Sequence, residues 1–481
     1  MWLWTDNFTR LLLKYPEHTW GSAGYVNGEI DVDKWANDQF HQAVAHPSTA
    51  LERSQYTQTA QTFAEQRRFN MFALEAATIG DPSSFLTAES RKNLAALQPA
   101  KPSLAGLHAA SSLSTPMSCG GITLAFDGTH GAIAQLENDG VVWAGGSDES
   151  SALGQLEYVT HNISDFVWYH QSTANGCGQT VCPCRGCQHG FDKFNSSCGG
   201  DLHKAFPFQN SSQMICANPT DGRYRPTMKS LHTDGKCRAV VELAFDPHLV
   251  QYYGAPQAAW VEVSMDGSPQ QASREGSERR AMASHARVNL TLTMWNKTST
   301  RLPESTFFNF RPTRQNSSST KWAMRKLGSW IDPTDVVLGG NQYQHGVNGA
   351  VRYGSPGHAM GSLTIESTDV ILASPITEQP AVKEVCPGGK SGDKAWSDVS
   401  CTDIWCTWQG TPTAFPGGGT RATGLNPLEE VVGFGYNLHN NLWSINYVTF
   451  NPYENDLWAG ESWGIGGSAD SNYQFRFALE L

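Results

Sequence analysis

The chain reads as an α+β protein, a small helix bundle followed by a large antiparallel β-sandwich region. Three observations carry that reading. Apolar residues recur at helical spacing as far as Leu97, a Pro- and Ser-rich stretch from Gln98 to Ser118 follows, and beyond it the apolar positions alternate with a period of two. At 481 residues the chain exceeds what one core organises and suggests about two or three domains.

In the first part, Asp33 is placed to cap a helix from Lys34 to about His46. Ala36, Phe40, Ala43 and Val44 lie on one face of it, and Pro47 ends it. Thr49-Ala50-Leu51-Glu52 has capping-box spacing, and no Gly or Pro interrupts the chain from there to Gly80. That second helix is about 28 residues, or roughly 42 Å, long. After the Asp81-Pro82-Ser83 break, Phe85 to Leu97 makes a third, and residues 22–100 read as a three-helix bundle.

The second part, residues 119–481, reads as strands. Ile122, Leu124 and Phe126, then Ile133 and Leu136, alternate around Asp127-Gly128. Asn138-Asp139-Gly140 leads into Val141-Val142-Trp143, a β-meander pattern. Further strands are expected over 240–245, 260–265, 288–294, 307–310, 363–372, 431–438 and 473–479. So many strands without interleaved helices point to a sandwich assembly.

Composition narrows the partners. Apolar content is 39%, charged content 16%, and no run of about 18 apolar residues offers a membrane span. A net charge of −11, with no basic block, argues against nucleic acid.

Seven Asn-x-Ser/Thr sequons, at Asn7, Asn162, Asn195, Asn210, Asn289, Asn296 and Asn316, point to glycosylation on a secretory route. The 11 cysteines agree, eight of them between Cys119 and Cys237. Cys177, Cys182, Cys184, Cys187, Cys198 and Cys216 crowd an insertion placed at residues 171–237. Short-spaced thiolates are able to close a zinc tetrahedron, but sequons inside the same insertion favour disulfides. The expected location is secreted or vacuolar/lysosomal. The first residues show no basic segment ahead of a long apolar run, so an export signal is expected upstream of Met1.

The stretch Lys14 to Gly21 is the candidate site. Leu11, Leu12 and Leu13 run apolar into it, Pro16 forces a turn, and Glu17 and His18 are left at the edge of a buried element beside Trp20. A buried histidine satisfied by a neighbouring carboxylate is the competing reading. His232-Thr233-Asp234 lies beside Gly235 in a strand-ending turn and reads as structural. No His-Glu-x-x-His, phosphate loop, dinucleotide fingerprint or nucleophile elbow is present.

Five motifs together resemble the glycoside hydrolase family 38-like proteins, and more narrowly their uncharacterised branch, a domain of unknown function. They are Glu17-His18-Thr19-Trp20-Gly21; Gln66-Arg67 in the helices; Thr300-Arg301-Leu302-Pro303-Glu304; Lys326 through Pro333; and Asn437-Leu438-His439-Asn440-Asn441-Leu442-Trp443 leading to Phe475-Arg476-Phe477. The resemblance implies an α-mannosidase-like architecture: a zinc-holding catalytic barrel, the bundle, then galactose-mutarotase-like sandwich domains. Residues 1–21 would be the end of that barrel, and His18 the late zinc-ligating histidine at the barrel-to-bundle junction. The implied chemistry is retaining hydrolysis of a carbohydrate, with one carboxylate attacking the anomeric carbon and another protonating the leaving oxygen. Neither carboxylate is assigned. One imidazole falls short of a zinc ligand set, so zinc belongs to a full-length parent and this chain by itself is expected to be inactive. A non-catalytic carbohydrate-binding or structural sandwich is the alternative. Asn440, Asn441 and Trp443 join amides to an aromatic face, suited to a pyranose ring near His18.

Overall fold

The computed structural model describes residues 2–14, 68–80, 85–96, 99–145, 150–160, 222–267, 286–297, 304–314, 321–335, 344–354, 361–377, 431–441 and 471–481. Among the described residues of the first part up to Ala96, the elements are helices. They are α1 (Trp2–Leu12), α2 (residues 68–80) and α3 (Phe85–Ala96). The last two coincide with the end of the expected second helix and with the third; the expected helix over 34–46 lies outside the described residues. Ala73, Leu74 and Ala77 are buried at the i, i+1, i+4 spacing of a single helical stripe. Arg91 of α3 donates to the Thr78 hydroxyl of α2 at 3.0 Å. The three leucines before Lys14 do not enter a buried element, since Leu12 is 43% and Leu13 67% exposed. Consecutive helical positions lie about 100° apart, so three in a row cannot share one buried face.

Twenty strands follow among the described residues: β1 (His108–Ala109), β2 (Met117–Cys119), β3 (Ile122–Phe126), β4 (Ile133–Asn138), β5 (Val141–Ala144), β6 (Ala152–Thr160), β7 (Gly222–Tyr224), β8 (Thr227–Thr233), β9 (Arg238–Ala244), β10 (Ala258–Asp266), β11 (Arg287–Trp295), β12 (Glu304–Arg311), β13 (Trp322–Lys326), β14 (Ser329–Ile331), β15 (His345–Gly346), β16 (Ala350–Gly354), β17 (Ser362–Ser367), β18 (Leu372–Thr377), β19 (Val431–Asn441) and β20 (Tyr473–Glu480). A one-and-a-half-turn helix, α4 (Pro247–Tyr252), starts on Asp246, whose carboxylate accepts the His248 amide. Strand pairing is antiparallel in every ladder among the described residues. The first sheet runs β1-β8-β9-β10-β11-β20-β17-β16-β13-β14 and the second β15-β18-β19-β12-β6-β4-β3-β2, with β5 on β4 and β7 on β6.

The two sheets pack through one hydrophobic core. Val261, Val263 and Met265 of β10 and Leu290, Leu292 and Met294 of β11 face Leu124, Leu156, Phe308 and Tyr436 of the second sheet within it. β10 alternates buried and half-buried along its length, the period-two signature of a strand with one core face. β6 carries no such signature. Gly154, at φ 71, sits at a register shift opposite Asn309/Phe310, so the side chains change face partway along the strand. The expected strand over 363–372 is two strands in different sheets, β17 and β18. Between them Ser367 Oγ accepts the amides of Asp369 and Val370, each at 3.2 Å, which turns the chain.

Cys119 and Cys237 form a disulfide. The pair ties the β2 hairpin of the second sheet to the start of β9 in the first, so Cys237 is joined to a strand outside the cysteine-rich insertion. The six cysteines from Cys177 to Cys216 lie outside the described residues. Close by, the backbones of Gly120 and Gly267 cross so tightly that a Cβ on Gly120 would fall 2.5 Å from the Gly267 Cα. Two side-chain-free positions are therefore required where the sheets meet. The bond closes a sequence separation of 118 residues, long enough to constrain the unfolded chain strongly. Replacing both cysteines by Ser should lower unfolding free energy by about 2–5 kcal/mol, read by denaturant titration against the oxidised wild type.

Candidate functional site

The inner face of the second sheet changes character along its length. Its middle is aromatic, with Phe308 and Phe310 on β12 beside Tyr436 on β19. Moving toward the Glu304 end, the register sets Thr306 opposite Tyr158 of β6 on one side and opposite His439 of β19 on the other, with Glu304 two residues further along. A shift between Thr306 and Phe307 in the β12/β19 ladder absorbs Leu438, which brings His439 rather than Leu438 into this row. Lys297 enters from the opposite sheet, two residues beyond β11, after Asn296 turns the chain at φ 52. Its amide donates to the Ser471 carbonyl at 2.9 Å.

These groups form one buried network. Lys297 Nζ lies 2.5 Å from Glu304 Oε1 and donates to the Gly254 carbonyl at 2.9 Å, and neither charged side chain has any exposure. Tyr158 Oη donates to Glu304 Oε2 and sits 2.8 Å from the Tyr253 carbonyl. The carbonyls just past α4 thus receive a cation and a phenol, the partners that a helix C-terminus favours. His439 Nδ1 is 3.9 Å from Glu304 Oε1.

Burial sets the protonation states. The Tyr158 phenol is pushed well above its usual pKa by desolvation first, then by the charge of Glu304 and the hydrogen bond to it. His439 is held well below 6.5 by burial and by the Lys297 charge, so it stays neutral. A buried Lys–Glu pair with further hydrogen bonds to both partners is costly to break from one side, because the survivor is left uncompensated. The network is an inter-sheet pin with a fixed proton inventory.

The residues nominated from sequence divide around it. His18 and Trp443 lie outside the described residues. The backbones of Asn440 and Asn441 pair with Ser305 and Glu304, which puts both beside the buried network at the end of β19. Glu17 is likewise outside the described residues, and among those residues no three His, Cys, Asp or Glu side chains gather as a metal ligand set. Asp234 has the structural role expected of it. Its Oδ1 accepts the amides of Lys236, Cys237 and Arg238 at 2.8–3.0 Å around Gly235. Desolvation pushes its carboxyl up, but these amides outweigh that and hold it below the usual range. Of the sequon residues described, Asn7 and Asn296 are exposed. Asn289 is engaged on the sheet surface, donating to Asp266 and accepting from Arg287.

Sequence reasoning quoted the segments that hold Glu304 and His439 but assigned neither residue a part. Lys297 and Tyr158 carry no motif. The only signal for Lys297 was a lysine two residues beyond an otherwise alternating strand.

A comparison with known families matches residues 4–176 to a domain of unknown function (DUF5054), a span that runs from α1 through β6. No curated protein and no solved structure matches the chain.

Lys297→Met or Glu304→Leu should each destabilise the fold by about 3–5 kcal/mol, whereas the two combined should recover most of that loss in a denaturant double-mutant cycle. His439 sets a pH dependence. The unfolded chain takes up a proton near pH 6.5 that the folded chain refuses, so stability is full above about pH 6.5 and falls as pH drops below it. His439→Gln should flatten that acid limb in thermal melts recorded from pH 7.5 to 5.

Proposed function

We propose that this chain is the helical and sandwich part of a secretory-pathway glycoside hydrolase of the α-mannosidase-like kind, zinc-dependent and retaining, that acts on carbohydrate. The carrying observation is the order of architecture: helices up to Ala96, then two antiparallel sheets that share one core. That order supports residues 1–21 as the end of a catalytic barrel, 22–100 as the bundle and the remainder as galactose-mutarotase-like sandwich. In this reading His18 is the zinc ligand at the barrel-to-bundle junction. Zinc would grip sugar hydroxyls and stabilise charge in the transition state. The sandwich's own task is to hold the junction rigid, and the sealed Lys297–Glu304 pin is suited to that.

One observation favours a second reading, a non-catalytic carbohydrate-binding or structural sandwich. Tyr158, Lys297, Glu304 and His439 are all buried to within 2% of complete, so this titratable network offers no acid or base to a solvent-facing substrate.

The readings separate on a full-length parent that carries the barrel, prepared through a secretory route, because this chain by itself is expected to be inactive. The glycosidase reading expects zinc by metal analysis and hydrolysis of an aryl α-mannoside, with His18→Ala lowering both. Retention of metal and activity by His18→Ala overturns the assignment of His18. Glycan binding without either turnover or zinc selects the binding sandwich.

A further inference from the structure

A lysine is held between two indoles on the outer face of the first sheet. Trp260 of β10 and Trp295, the last residue of β11, lie edge-on with ring centroids 6.5 Å apart. Both are half-buried, and neither belongs to the core between the sheets. Lys101 Nζ stands 5.3 Å from the Trp260 ring centroid and 5.2 Å from that of Trp295. An ammonium at that range is attracted by both rings at once. Thr293, opposite Trp260 in the ladder and two residues before Trp295, points away from the core with Trp295 yet is only 3% exposed.

Lys101 belongs to the segment that leads from the helices to the sandwich. The last helix before it, α3, ends at Ala96, and β1 begins at His108. Pro99 and Pro102 lack amide donors, and Pro102 keeps Lys101 out of helical geometry, so the chain here stays extended and unpaired. Among the described residues its hydrogen bonds before β1 are local. The Ala105 amide reaches Ser103 Oγ at 3.3 Å, and the Leu107 amide donates to the Leu104 carbonyl at 3.0 Å. Backbone attachment to the sheet starts with β1, which pairs with β8, and with the Ala110 amide, which donates to the Leu231 carbonyl at 2.8 Å. Since β9 and β8 lie between β10 and β1 in the sheet, the segment crosses the outer face between its two attachments. Leu107, near the far attachment, is 8% exposed and also lies outside the inter-sheet core.

We infer that residues 99–107 form a strap across the first sheet, locked by Lys101 in the Trp260–Trp295 clamp, and that opening the clamp releases the helices to move about the sandwich. With the clamp closed, the chain from Ala96 to its first anchor at Lys101 spans at most about 18 Å. With it open the first anchor is His108, and the reach grows to about 43 Å. One side chain thus sets the freedom of the helical part while the sandwich stays folded. The device does not depend on the glycosidase reading.

The test is hydrogen exchange of the whole chain, resolved to single amides, with Leu107 reporting on the strap and Ala110 on its attachment to β8. Lys101 is exposed, so its variants should fold normally. Lys101→Met keeps most of the length and removes the charge, and it should speed exchange at Leu107 by about fivefold to thirtyfold, the scale of two cation–π contacts. Lys101→Arg should exchange as the wild type does, because a guanidinium also stacks on indoles. Trp295→Ala should match Lys101→Met, and Ala110 should keep its wild-type rate in all three variants. The inference fails if Lys101→Met leaves Leu107 at the wild-type rate, if Lys101→Arg exchanges as fast as Lys101→Met, or if Ala110 accelerates along with Leu107.

Discussion

The fold depends on where its last strand goes. β20 lies between β11 and β17, and it alone joins the β1-β8-β9-β10-β11 half of the first sheet to the β17-β16-β13-β14 half. Its side chains also reach the other sheet. Phe477 packs against Phe308, Tyr436 and Phe310 at ring separations of 5.1, 5.3 and 5.6 Å, in tilted and edge-on geometries. Phe477 therefore closes a core that includes β12, a strand that begins some 170 positions earlier. A core closed this way has high contact order, and both halves of the first sheet expose open edges until β20 docks.

That closure explains why the polar network is tolerable where it is. Lys297 comes from beyond β11 and the Ser471 carbonyl from just before β20, and the two are bonded through the backbone. Pairing β11 with β20 therefore carries the lysine toward Glu304 on the opposing sheet. The pair gains little net energy over apolar residues of similar volume, because two charges must be desolvated. It does specify one alignment of the sheets, since a shifted alignment would leave Glu304 and Lys297 buried and apart.

How legible was this in the sequence? Strands with one core face were plain, because Val261, Val263 and Met265 alternate with half-buried neighbours. β6 was not, because Gly154 shifts its register and the strand carries buried Gln155 and Glu157 on its other face. The strand over 363–372 was overextended because both pieces are apolar, and only the Ser367 turn separates them. The candidate site was half legible. The Leu438-His439-Asn440-Asn441 segment drew attention for its amides, yet it is the bulge at Thr306/Phe307 that decides which residue points inward, and a bulge leaves no mark on local composition. The Lys297–Glu304 pair joins residues from different sheets, and nothing in residue spacing records which sheet a strand will enter.

The same three strands, β6, β12 and β19, carry charged groups on both of their faces. On the inner face, charges are matched: Lys297 with Glu304, and both with backbone carbonyls or a phenol. On the outer face Glu157 is met by Asn309 at 2.6 Å and by Arg223 at 3.3 Å. Both conditions arise from pairs of shifts in the ladders of β12, at Asn309/Phe310 toward β6 and at Thr306/Phe307 toward β19. The outer-face glycines at 433 and 435 permit flat side chains that a bulkier strand would forbid. Glu157 is itself buried there, and the Asn309 amide and the Arg223 guanidinium compensate it, so this face too satisfies its charge from within the sheet.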